Sequence, residues 1–425
     1  MKVMVVGGGG REHAIIKKLK ENKEITTLYA LPGNGGIAMD AICVPIGAKD
    51  VEGIVRFAKE NRIDFAVIAP DDPLVLGVVD VLNAIGVKCF GPRKNAAIIE
   101  GSKAFSKQLM KKYNIPTAKF EIFDNLDKAI KYIDSFKLEN TPLVVKADGL
   151  ALGKGVLLCD TLTEAKDAVR SMMEDKKFGD SGKTVVIEEF LIGPEVSVLA
   201  FTDGKVVKPM VSSMDHKRAL DGDTGLNTGG MGAIAPNPYY TAEIADECMQ
   251  NIFLPTIEAM NSEGRTFKGC LYFGLMLTAN GAKVIEYNCR FGDPETQVVL
   301  PLMESDLLTV MLACENGTLA ECEVKFSAES ACCVVEASRG YPEKYQSGFE
   351  ISIESDIDCE VYFAGAKIEG AKLLSSGGRV LGVVGKGKNL KCAIKKAYEN
   401  VEKVKFENAF YRKDIGEKAL KAGRI

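Results

Sequence analysis

The first hundred residues alternate short apolar runs with amphipathic stretches. The apolar runs predict strands at 2–6, 27–31, 65–69 and 87–90, and the amphipathic stretches at 12–20 and 73–85 predict helices. Strands that alternate with helices in this way form an open parallel sheet covered by helices. We therefore predict an α/β domain over about the first hundred residues.

The pattern changes after this domain. Ser102 caps a predicted helix that runs to residue 113, and a helical segment at 126–136 and apolar strands at 143–146 and 185–191 follow. An amphipathic helix is predicted at 244–260, strands at 270–278 and 284–289 pair through a turn, and 298–302 and 306–314 are helical. From about residue 325, short strands at 331–337, 361–364 and 379–384 and a helix at 390–401 predict a small α+β domain.

The strand at 284–289 carries the most informative polar face. Side chains alternate along a strand, so Glu286, Asn288 and Arg290 are predicted to project together, and Ile285 and Tyr287 to point the other way. Carboxylate and amide oxygens suit Mg²⁺, which proteins usually hold with one or two carboxylates and substrate phosphates. The arginine is suited to bind a carboxylate or phosphate. The alternative is a solvated strand face with ordinary charges.

A strand that ends in Lys146 leads into a loop with three glycines and Lys154. A lysine at a strand end and a second lysine among glycines are suited to clamping a polyphosphate. The loop is not a Walker A loop, because G-x-x-x-x-G-K-[ST] cannot be aligned with it. The alternative is a glycine-rich hairpin with a structural role only.

Two further glycine-rich turns, at 7–10 and 33–36, follow the first two strands. Glycines at a strand-to-helix turn let backbone amides approach an anion at the helix N-terminus. The dinucleotide motif G-x-G-x-x-G fails, because its last position falls on Glu12 or His13, and the second strand lacks an acidic residue for a ribose diol. We therefore favour one small phosphorylated ligand over a dinucleotide.

Two other segments are candidate binding elements. The strand at 185–191 turns at Gly193 and precedes Glu195. A backbone edge beside apolar side chains can bind a purine, and a nearby glutamate can bind a ribose hydroxyl. The segment 213–232 is too polar and glycine-rich to be core and too long for a simple turn, so we expect it to bind a ligand.

Composition narrows the class of protein. A chain of 425 residues, with 46% hydrophobic and 26% charged residues, is typical of a globular protein of two to four domains. The net charge of −4 gives no general attraction to nucleic acid, and no stretch is apolar enough for a membrane helix. The first apolar run is too short for a signal peptide, so a cytoplasmic location is expected. The 12 scattered cysteines are predicted to be reduced, and two histidines make a zinc site unexpected.

Seven motifs resemble the phosphoribosylamine–glycine ligase family of the ATP-grasp superfamily in order and spacing. They are GGGREH at 8–13, PGN at 32–34, EGSK at 100–103, KADGLALGKG at 146–155, DHKR at 215–218, NTGGMG at 227–232 and RFGDPETQ at 290–297. The resemblance implies a multidomain α/β and α+β fold. Its parts would be an N-terminal open parallel α/β sheet at 1–101, an ATP-grasp domain at 102–324 with a lid subdomain at about 117–192, and a small C-terminal α+β domain at 325–425.

The activity that the resemblance implies is ATP-dependent ligation of glycine to 5-phosphoribosylamine. The reaction would pass through glycyl phosphate and give glycinamide ribonucleotide, ADP and phosphate, the second step of de novo purine synthesis. The expected partners are these small molecules, without nucleic acid or membrane. The chain is expected to be a monomer, or at most a weak dimer.

The resemblance also implies roles for particular residues. Mg²⁺ or Mn²⁺ would be held by Glu286 and Asn288, and the catalytic residues would be Arg290, Lys217 and Asp215. ATP would be bound by Lys103, Lys146, Gly153, Lys154, Gly155, Glu188, Glu189, Phe190, Leu191, Glu195 and Lys217. The other substrates would be bound by Gly8, Gly9, Gly10, Pro32, Gly33, Asn34, Asp215, Gly229, Gly230, Arg290, Gly292 and Asp293.

The chain departs from the family pattern at three places. The strand at 274–277 lacks the additional acidic metal ligand of many ATP-grasp enzymes, Asp71 lies where the ligase family commonly has glutamate, and Leu226 stands where proline is usual. Another ATP-grasp ligase or carboxylase acting on a related ribonucleotide is the alternative enzyme. A nucleotide-binding regulatory protein is the non-enzymatic alternative, but it would not need the γ-phosphate chemistry for which Lys217 and Glu286 are suited.

Overall fold

The structure is a computed structural model that describes residues 1–150, 155–175 and 179–422. Five parallel strands form its N-terminal sheet, in the order Ile42–Cys43, Thr27–Pro32, Lys2–Gly7, Phe65–Ile68 and Lys88–Phe90. The helices of this part are Gly10–Lys20, Val51–Asn61, Asp71–Leu76, Val78–Ala84 and Lys94–Gly101, with a 3₁₀ turn at Ile37–Met39. Alternate residues of the first strand belong to different core clusters, so both faces of the sheet are covered, and the predicted open parallel sheet is confirmed.

The central part contains two four-stranded antiparallel sheets. The lid sheet has the order Phe120–Phe123, Val185–Glu189, Leu143–Ala147 and Val156–Cys159, and it shares a small core with helices Leu126–Asp134 and Leu162–Met173. The body sheet has the order Val207–Pro209, Glu195–Thr202, Gly269–Thr278 and Gly281–Asn288. The other helices are Lys103–Lys112, Ala242–Cys248, Leu254–Ser262, Thr296–Val299 and Leu307–Asn316. A nucleotide clamp of two such sheets is the architecture that the motifs predicted.

The C-terminal sheet takes two of its strands from the central part of the chain. Its order is Met214–Asp215, Gly232–Ala235, Ser330–Ser338, Arg379–Gly387 and Glu360–Phe363, and Ala409–Phe410 also pairs with Ser330–Ser338. The smaller hairpins pair Arg218–Leu220 with Thr224–Asn227, Ala366–Glu369 with Lys372–Ser375, and Ser352–Ile353 with Val404–Lys405. Helices Leu390–Val401 and Glu417–Ala422 complete this part. The predicted boundary near residue 324 therefore separates strands that belong to one sheet.

Four predicted elements differ from the structure. The helix at 73–85 is two helices, because Gly77 adopts the left-handed conformation (φ +92°) between them. The strand at 185–191 ends at Glu189, where its pairing with Leu143 ends. The helix at 244–260 contains a π turn at Met249–Phe253, and the segment 298–302 changes from α to 3₁₀ at Leu300–Leu302. Among the helices of the described residues, none is long and apolar enough to cross a membrane.

Candidate active site

The hairpin at 269–288 carries the predicted metal-binding face. The pairing register shifts within it, so that Ile285 forms a β-bulge next to Glu286. Glu286, Asn288 and Arg290 are all partly buried on one side, as predicted, but Ile285 does not join the buried core on the other side. That part of the prediction was wrong because the bulge interrupts the two-residue alternation.

The environment of Glu286 keeps its carboxylate charged. Burial alone would raise the pKa of Glu286, but Lys217, Lys146, Lys103 and Arg290 together hold that pKa below its usual value. The Nζ atom of Lys217 lies 3.9 Å from Glu286 Oε1 and 2.7 Å from Glu195 Oε2. Glu195 and Glu286 also raise the pKa of Lys217 against the effect of burial. Lys217 is thus a firmly charged ammonium between the two carboxylates.

Glu286 and Asn288 fit a hard divalent cation. In the described part of the chain, no hydrogen bond is donated to the carboxylate of Glu286, so its oxygens are available as ligands. The Asn288 amide oxygen accepts one bond from Arg290, at 3.2 Å. No cluster of three or more acidic, histidine or cysteine side chains among those described is arranged to hold a metal ion. Two oxygen ligands at an open position suit a cation whose coordination is completed by phosphates and water.

Lys146 is held by a buried ionic cluster that joins the lid to the body. Its Nζ atom donates to the carbonyl oxygen of the bulged Ile285 at 2.9 Å and lies 3.0 Å from Glu188 Oε1. A second lysine, Lys107, lies 2.9 Å from the other oxygen of Glu188 and donates to Thr117 Oγ1 at 2.8 Å. Burial lowers the pKa of Lys107 to about 8, although Glu188 acts in the opposite direction. We call Lys107, Glu188 and Lys146 the lysine–glutamate cluster.

The first part of the predicted phosphate loop is anchored on the helix that begins at Lys103. The Lys103 ammonium donates to the Gly149 carbonyl at 2.8 Å, and Asp148 accepts a bond from the Ala104 amide at 3.1 Å. Burial lowers the pKa of Lys103. Lys103 therefore lies against the strand end from which the loop departs. Gly153 and Lys154 lie outside the described residues, and Gly155 precedes the return strand Val156–Cys159 and accepts the Ala147 amide at 2.8 Å.

The predicted adenine-binding segment leaves the lid sheet at Glu189. The Glu189 carboxylate accepts bonds from the Lys119 amide (2.9 Å) and from Lys283 (3.2 Å), so this side chain is already occupied by the protein. Phe190 is exposed, Leu191 is partly exposed, and Glu195 is exposed where it pairs with Lys217. The exposed backbone after Glu189 is consistent with an edge that binds a base.

Arg290 occupies the end of the metal-binding face. Its Nη2 atom donates to Glu100 Oε1 at 2.9 Å, and burial raises the pKa of Glu100 while Arg290 opposes that rise. The second oxygen of Glu100 accepts the Cys289 amide at 2.7 Å. Burial alone would also raise the pKa of Asp71, but Arg290 and Arg11 hold that pKa below its usual value. The carboxylates of Glu100 and Asp71 therefore fix the orientation of the Arg290 guanidinium.

A second group of predicted residues surrounds Arg379. Its guanidinium donates to Asp293 Oδ2 at 3.0 Å, to the Asp293 carbonyl at 3.0 Å and to the Gly229 carbonyl at 2.7 Å. The Cα of Gly230 leaves room for Asp215, since a Cβ atom there would lie 2.6 Å from Asp215 Oδ1. A Cβ atom on Gly9 would lie 3.6 Å from Asp293 Oδ2. The structure thus brings the N-terminal glycine turn, the segment 227–232 and the segment 290–297 together.

The two glycine turns pack directly on each other. A Cβ atom on Gly8 would lie 2.3 Å from the Gly33 carbonyl oxygen. Asn34 donates to the Gly8 carbonyl (2.9 Å) and to the Phe363 carbonyl (2.8 Å), while its own oxygen accepts the amides of Gly36 and Ile37. The Asn34 side chain therefore holds the turns together. The amides of Gly9 and Gly33 are already bonded within this region, to Glu12 Oε2 at 2.5 Å and to the Gly7 carbonyl at 3.1 Å.

Asp215 is a carboxylate with an unpaired buried oxygen. Its Oδ1 atom has no hydrogen-bond partner among the described residues. Burial and the nearby Glu295 raise the pKa of Asp215 well above its ordinary value, although Lys217 and Arg379 act against that rise. Glu295 is itself buried and receives a bond from Ser197 at 3.3 Å. An unpaired acceptor beside a second carboxylate is suited to a cationic or protonatable ligand.

Sequence reasoning missed several residues of this site. Lys107 follows Lys103 by one helical turn, which was the available signal for it. Glu100 lies inside a quoted motif, and Arg379 follows the two glycines at 377–378. Arg11, which donates to the Phe291 carbonyl at 3.2 Å, follows the first glycine turn. Glu295 had no signal beyond its place in the last motif.

Three family models match consecutive parts of the chain. The N domain of phosphoribosylglycinamide synthetase matches residues 1–100, its ATP-grasp (A) domain matches residues 101–296, and its C domain matches residues 331–418. The matched segments follow one another in the order of the three parts seen in the structure.

Relatives with similar sequences extend over nearly the full length. The phosphoribosylamine–glycine ligase of Caldanaerobacter subterraneus subsp. tengcongensis is 46% identical over 416 residues, which cover 98% of this chain and 99% of that protein. The protein of the same name from Listeria monocytogenes is 46% identical over 423 residues, which cover 99% of this chain and all of that protein.

Solved structures have the same architecture. The crystal structure of phosphoribosylamine–glycine ligase from Thermotoga maritima superposes with a TM-score of 0.84 at 35% identity, covering 98% of this chain and 100% of that one. The biotin carboxylase domain of 2-oxoglutarate carboxylase from Hydrogenobacter thermophilus has a TM-score of 0.74 at 15% identity, with 96% and 91% covered, and this likeness concerns the fold alone. On its sequence, its three-part fold and these relatives, the chain belongs to the phosphoribosylamine–glycine ligase family.

Proposed function

We propose that this chain ligates glycine to 5-phosphoribosylamine at the expense of ATP, in the purine biosynthetic step for which its family is named. A carboxylate does not acylate an amine unaided. An oxygen of glycine would therefore attack the γ-phosphorus of ATP, and the bond to the β–γ bridging oxygen would break to give glycyl phosphate and ADP. The amine nitrogen would then attack the acyl carbon and release phosphate.

Positioning and charge neutralisation would supply most of the acceleration. Aligned partners in one site reach effective molarities of about 10⁵ to 10⁸ M. Lys103, Lys146 and Lys217 are the cations suited to the triphosphate. The distance of 3.9 Å between Lys217 Nζ and Glu286 Oε1, a proposed metal ligand, supports this role for Lys217. The resemblance to the family adds Lys154 to these cations. The exposed backbone at 190–191 would receive the base, and Glu195 the ribose.

Glu286 and Asn288 would hold a divalent cation together with the phosphates. Such a cation, when bound, neutralises charge on the transferring group. An ionised Glu286, kept so by its cationic surroundings, supports this assignment. Mg²⁺ is the proposed ion, with Mn²⁺ as the alternative.

Glycine and phosphoribosylamine would lie on the other side of Arg290. The Arg290 guanidinium, fixed by Glu100, would orient the carboxylate of glycine or its phosphate. Asp215 would bind the amine and accept the proton that the nitrogen loses, because a raised pKa makes its carboxylate a better base. The backbone of Gly8, Gly9, Gly10 and Gly33 would hold the ribose phosphate, with Asp293, Gly229, Gly230 and Gly292 enclosing the ribose side.

The observation that carries this proposal is the meeting of two sets of residues at one hairpin. Three lysines suited to ATP lie near Glu286, and Arg290 begins the segment 290–297, which contacts the N-terminal glycine turn and, through Arg379, the segment 227–232. We propose that the enzyme works on these small molecules as a monomer or weak dimer in the cytoplasm.

A coupled ADP assay tests the proposal. With ATP, glycine and freshly prepared phosphoribosylamine, ADP and glycinamide ribonucleotide should form in equal amounts, and alanine or serine should not replace glycine. Omission of phosphoribosylamine should reduce ADP release to a slow background. ADP release that ignores glycine, or that requires another carboxylate, would instead favour a related ATP-grasp ligase or carboxylase.

A further inference from the structure

The C-terminal segment 411–418 is packed against the loop that carries Asp215 and Lys217. The segment follows the last strand of the C-terminal sheet, and the loop lies between Met214–Asp215 and Gly232–Ala235 of the same sheet. Nearly two hundred residues separate them in sequence, as in the bond between the Gly222 amide and Asp414 Oδ2 at 2.9 Å. A second such bond joins the Lys413 amide to Asp221 Oδ1 at 2.7 Å.

Arg412 is at the centre of this contact. Its side chain is 1% exposed, and its Nε and Nη2 atoms form a bidentate ion pair with the Asp414 carboxylate, in which both bonds are 2.8 Å long. The third guanidinium nitrogen, Nη1, contacts the loop: it lies 2.8 Å from Asp223 Oδ1 and donates to the Arg218 carbonyl at 3.0 Å. Lys418 also pairs with Asp223. Two cations and two carboxylates thus form a neutral group, which is the arrangement that a buried guanidinium requires.

His216 supplies a second connection one residue from Lys217. Its Nε2 atom accepts the Gly416 amide at 3.0 Å, and its Nδ1 atom lies 3.3 Å from the Gly232 carbonyl. The same residue exchanges backbone bonds with the other end of the loop, from its amide to Gly232 and from the Met231 amide to its carbonyl. The C-terminal segment therefore touches the loop on both sides of Lys217, at His216 and at Arg218.

Lys217 itself makes few contacts outside the loop among the described residues. Its carbonyl accepts the Thr228 amide and hydroxyl, both at 2.8 Å, and its side chain reaches Glu195. The hairpin beyond it, Arg218–Leu220 with Thr224–Asn227, is largely exposed. A loop with little buried apolar surface is expected to open at low free-energy cost unless something outside it holds it.

We propose that Arg412 is a positioning residue, which holds the loop so that Lys217 and Asp215 face the reacting groups. Arg412 does so by binding the Arg218 carbonyl and Asp223. The inference rests on the proposed function of Lys217 and Asp215, and it gives the C-terminal part a share in catalysis without contact to any substrate.

The perturbation that tests this inference is Arg412→Gln, with Arg412→Lys as a milder variant that keeps the buried charge. Lys405→Gln is the matched control, because Lys405 is an exposed cation of the same C-terminal part and is paired with Glu354 at 2.6 Å. Each full-length variant is assayed for kcat, for KM of ATP, and for the ratio of ADP to glycinamide ribonucleotide. Hydrogen exchange of peptides from 214–232 is measured in parallel.

A misplaced loop should slow the chemistry and let water reach the acyl phosphate. We expect Arg412→Gln to lower kcat on the order of 10- to 100-fold, to change KM for ATP much less than kcat because Lys103 and Lys146 still bind the triphosphate, and to raise the ADP-to-product ratio above one. Exchange should rise across 214–232 and stay unchanged in 2–20 and 269–288. Arg412→Lys should show the same changes to a smaller degree, and Lys405→Gln should match the wild type.

The outcomes distinguish a failure of this inference from a failure of the proposed function. If the wild type makes no glycinamide ribonucleotide, the proposed function fails first. If the wild type is active and Arg412→Lys keeps both the coupling ratio and the loop exchange of the Lys405 control, the inference is overturned. If Arg412→Gln instead changes KM for ATP as much as kcat, and hydrogen exchange in 269–288 as much as in 214–232, Arg412 has a general structural role and the inference is overturned as well.

Discussion

Removing the carboxylate from the lysine–glutamate cluster should be far more damaging than removing one of its lysines. Glu188→Gln leaves two buried ammonium groups, Lys107 and Lys146, without the carboxylate that contacts both of them. Lys107→Met leaves the Lys146–Glu188 pair intact at 3.0 Å, and Thr117 keeps its bond to the Val284 carbonyl at 2.6 Å. Glu188 and Lys107 are equally buried, and each substitution keeps the approximate size of the side chain. The two variants therefore differ mainly in the charges that remain unpaired.

The expected magnitudes follow from burial and charge. Loss of one partner of a buried ion pair costs about 3–5 kcal/mol, because the other charge remains uncompensated. Lys107 has its pKa lowered to about 8, which means that its ammonium is disfavoured by about 3 kcal/mol even with Glu188 beside it. Replacing that ammonium with an apolar side chain of similar volume should therefore change local stability by only about 1 kcal/mol.

The dependence on pH provides a second signature. The unfolded chain holds a proton on Lys107 up to about pH 10, whereas the folded chain releases it above about pH 8. Between these values the unfolded state binds more protons, so the stability of the wild type rises with pH. The penalty of burying the ammonium is fully present below about pH 8, and roughly 1 kcal/mol of it is relieved by about pH 9. Lys107→Met should lack this rise.

Hydrogen exchange of the strand Val185–Glu189 measures the opening of this region directly. At neutral pH, Glu188→Gln should lower protection by about 3–5 kcal/mol and raise KM for ATP, because Lys146 loses its fixed direction. Lys107→Met should stay near the wild type in both respects. The stability of the wild type measured by melting should rise between about pH 7 and pH 9, relative to that of Lys107→Met. Equal loss of protection in the two variants would refute the reasoning, as would a rise with pH in Lys107→Met.

Three further predictions concern other parts of the site. Glu286→Gln should reduce ADP release on the order of 100-fold and raise the Mg²⁺ concentration required, with an unchanged melting temperature, and a wild-type rate would exclude Glu286 from the metal site. Asp293→Asn, which weakens the 3.0 Å pair with Arg379, should raise KM for phosphoribosylamine about tenfold but not KM for ATP, and equal changes in both would contradict this placement. Burial lowers the pKa of His216 to about 4, so the folded chain loses up to about 3 kcal/mol of stability as pH falls from 6.5 towards 4. Melting curves of His216→Asn should lack this part of the acid sensitivity, and an equal slope in the variant would count against it.

The parts of the fold with regular spacing could be predicted from the sequence. The N-terminal parallel sheet and the hairpin at 269–288 have apolar runs bounded by glycine or asparagine turns, and both formed as expected. The polar face of that hairpin was predictable because alternation along a strand is a local property. Gly77 and the bulge at Ile285 were missed, because a single residue that breaks a pattern leaves the rest of the pattern unchanged.

The cluster contacts could not be predicted, since they join residues that are far apart in sequence. Asp293 and Arg379 are 86 residues apart, and Lys146 meets the Ile285 carbonyl across 139 residues. The resemblance located Asp293 and Lys146 because they lie in motifs. Arg379 and Lys107 had only weak local signals, and nothing in the spacing indicated which carboxylates they would meet.

The C-terminal sheet has a consequence for any attempt to divide this chain. Ser330–Ser338 is a buried strand of nine residues, hydrogen-bonded to Gly232–Ala235 on one side and to Arg379–Gly387 on the other. A fragment that starts near residue 325 would lack Gly232–Ala235, and the backbone groups of the apolar stretch Ala331–Val334 would lose their partners. Such an edge is a template for pairing with another molecule, so the fragment should self-associate or precipitate. A fragment that folds by itself would have to start upstream of Met214, and it would therefore carry the loop with Asp215 and Lys217.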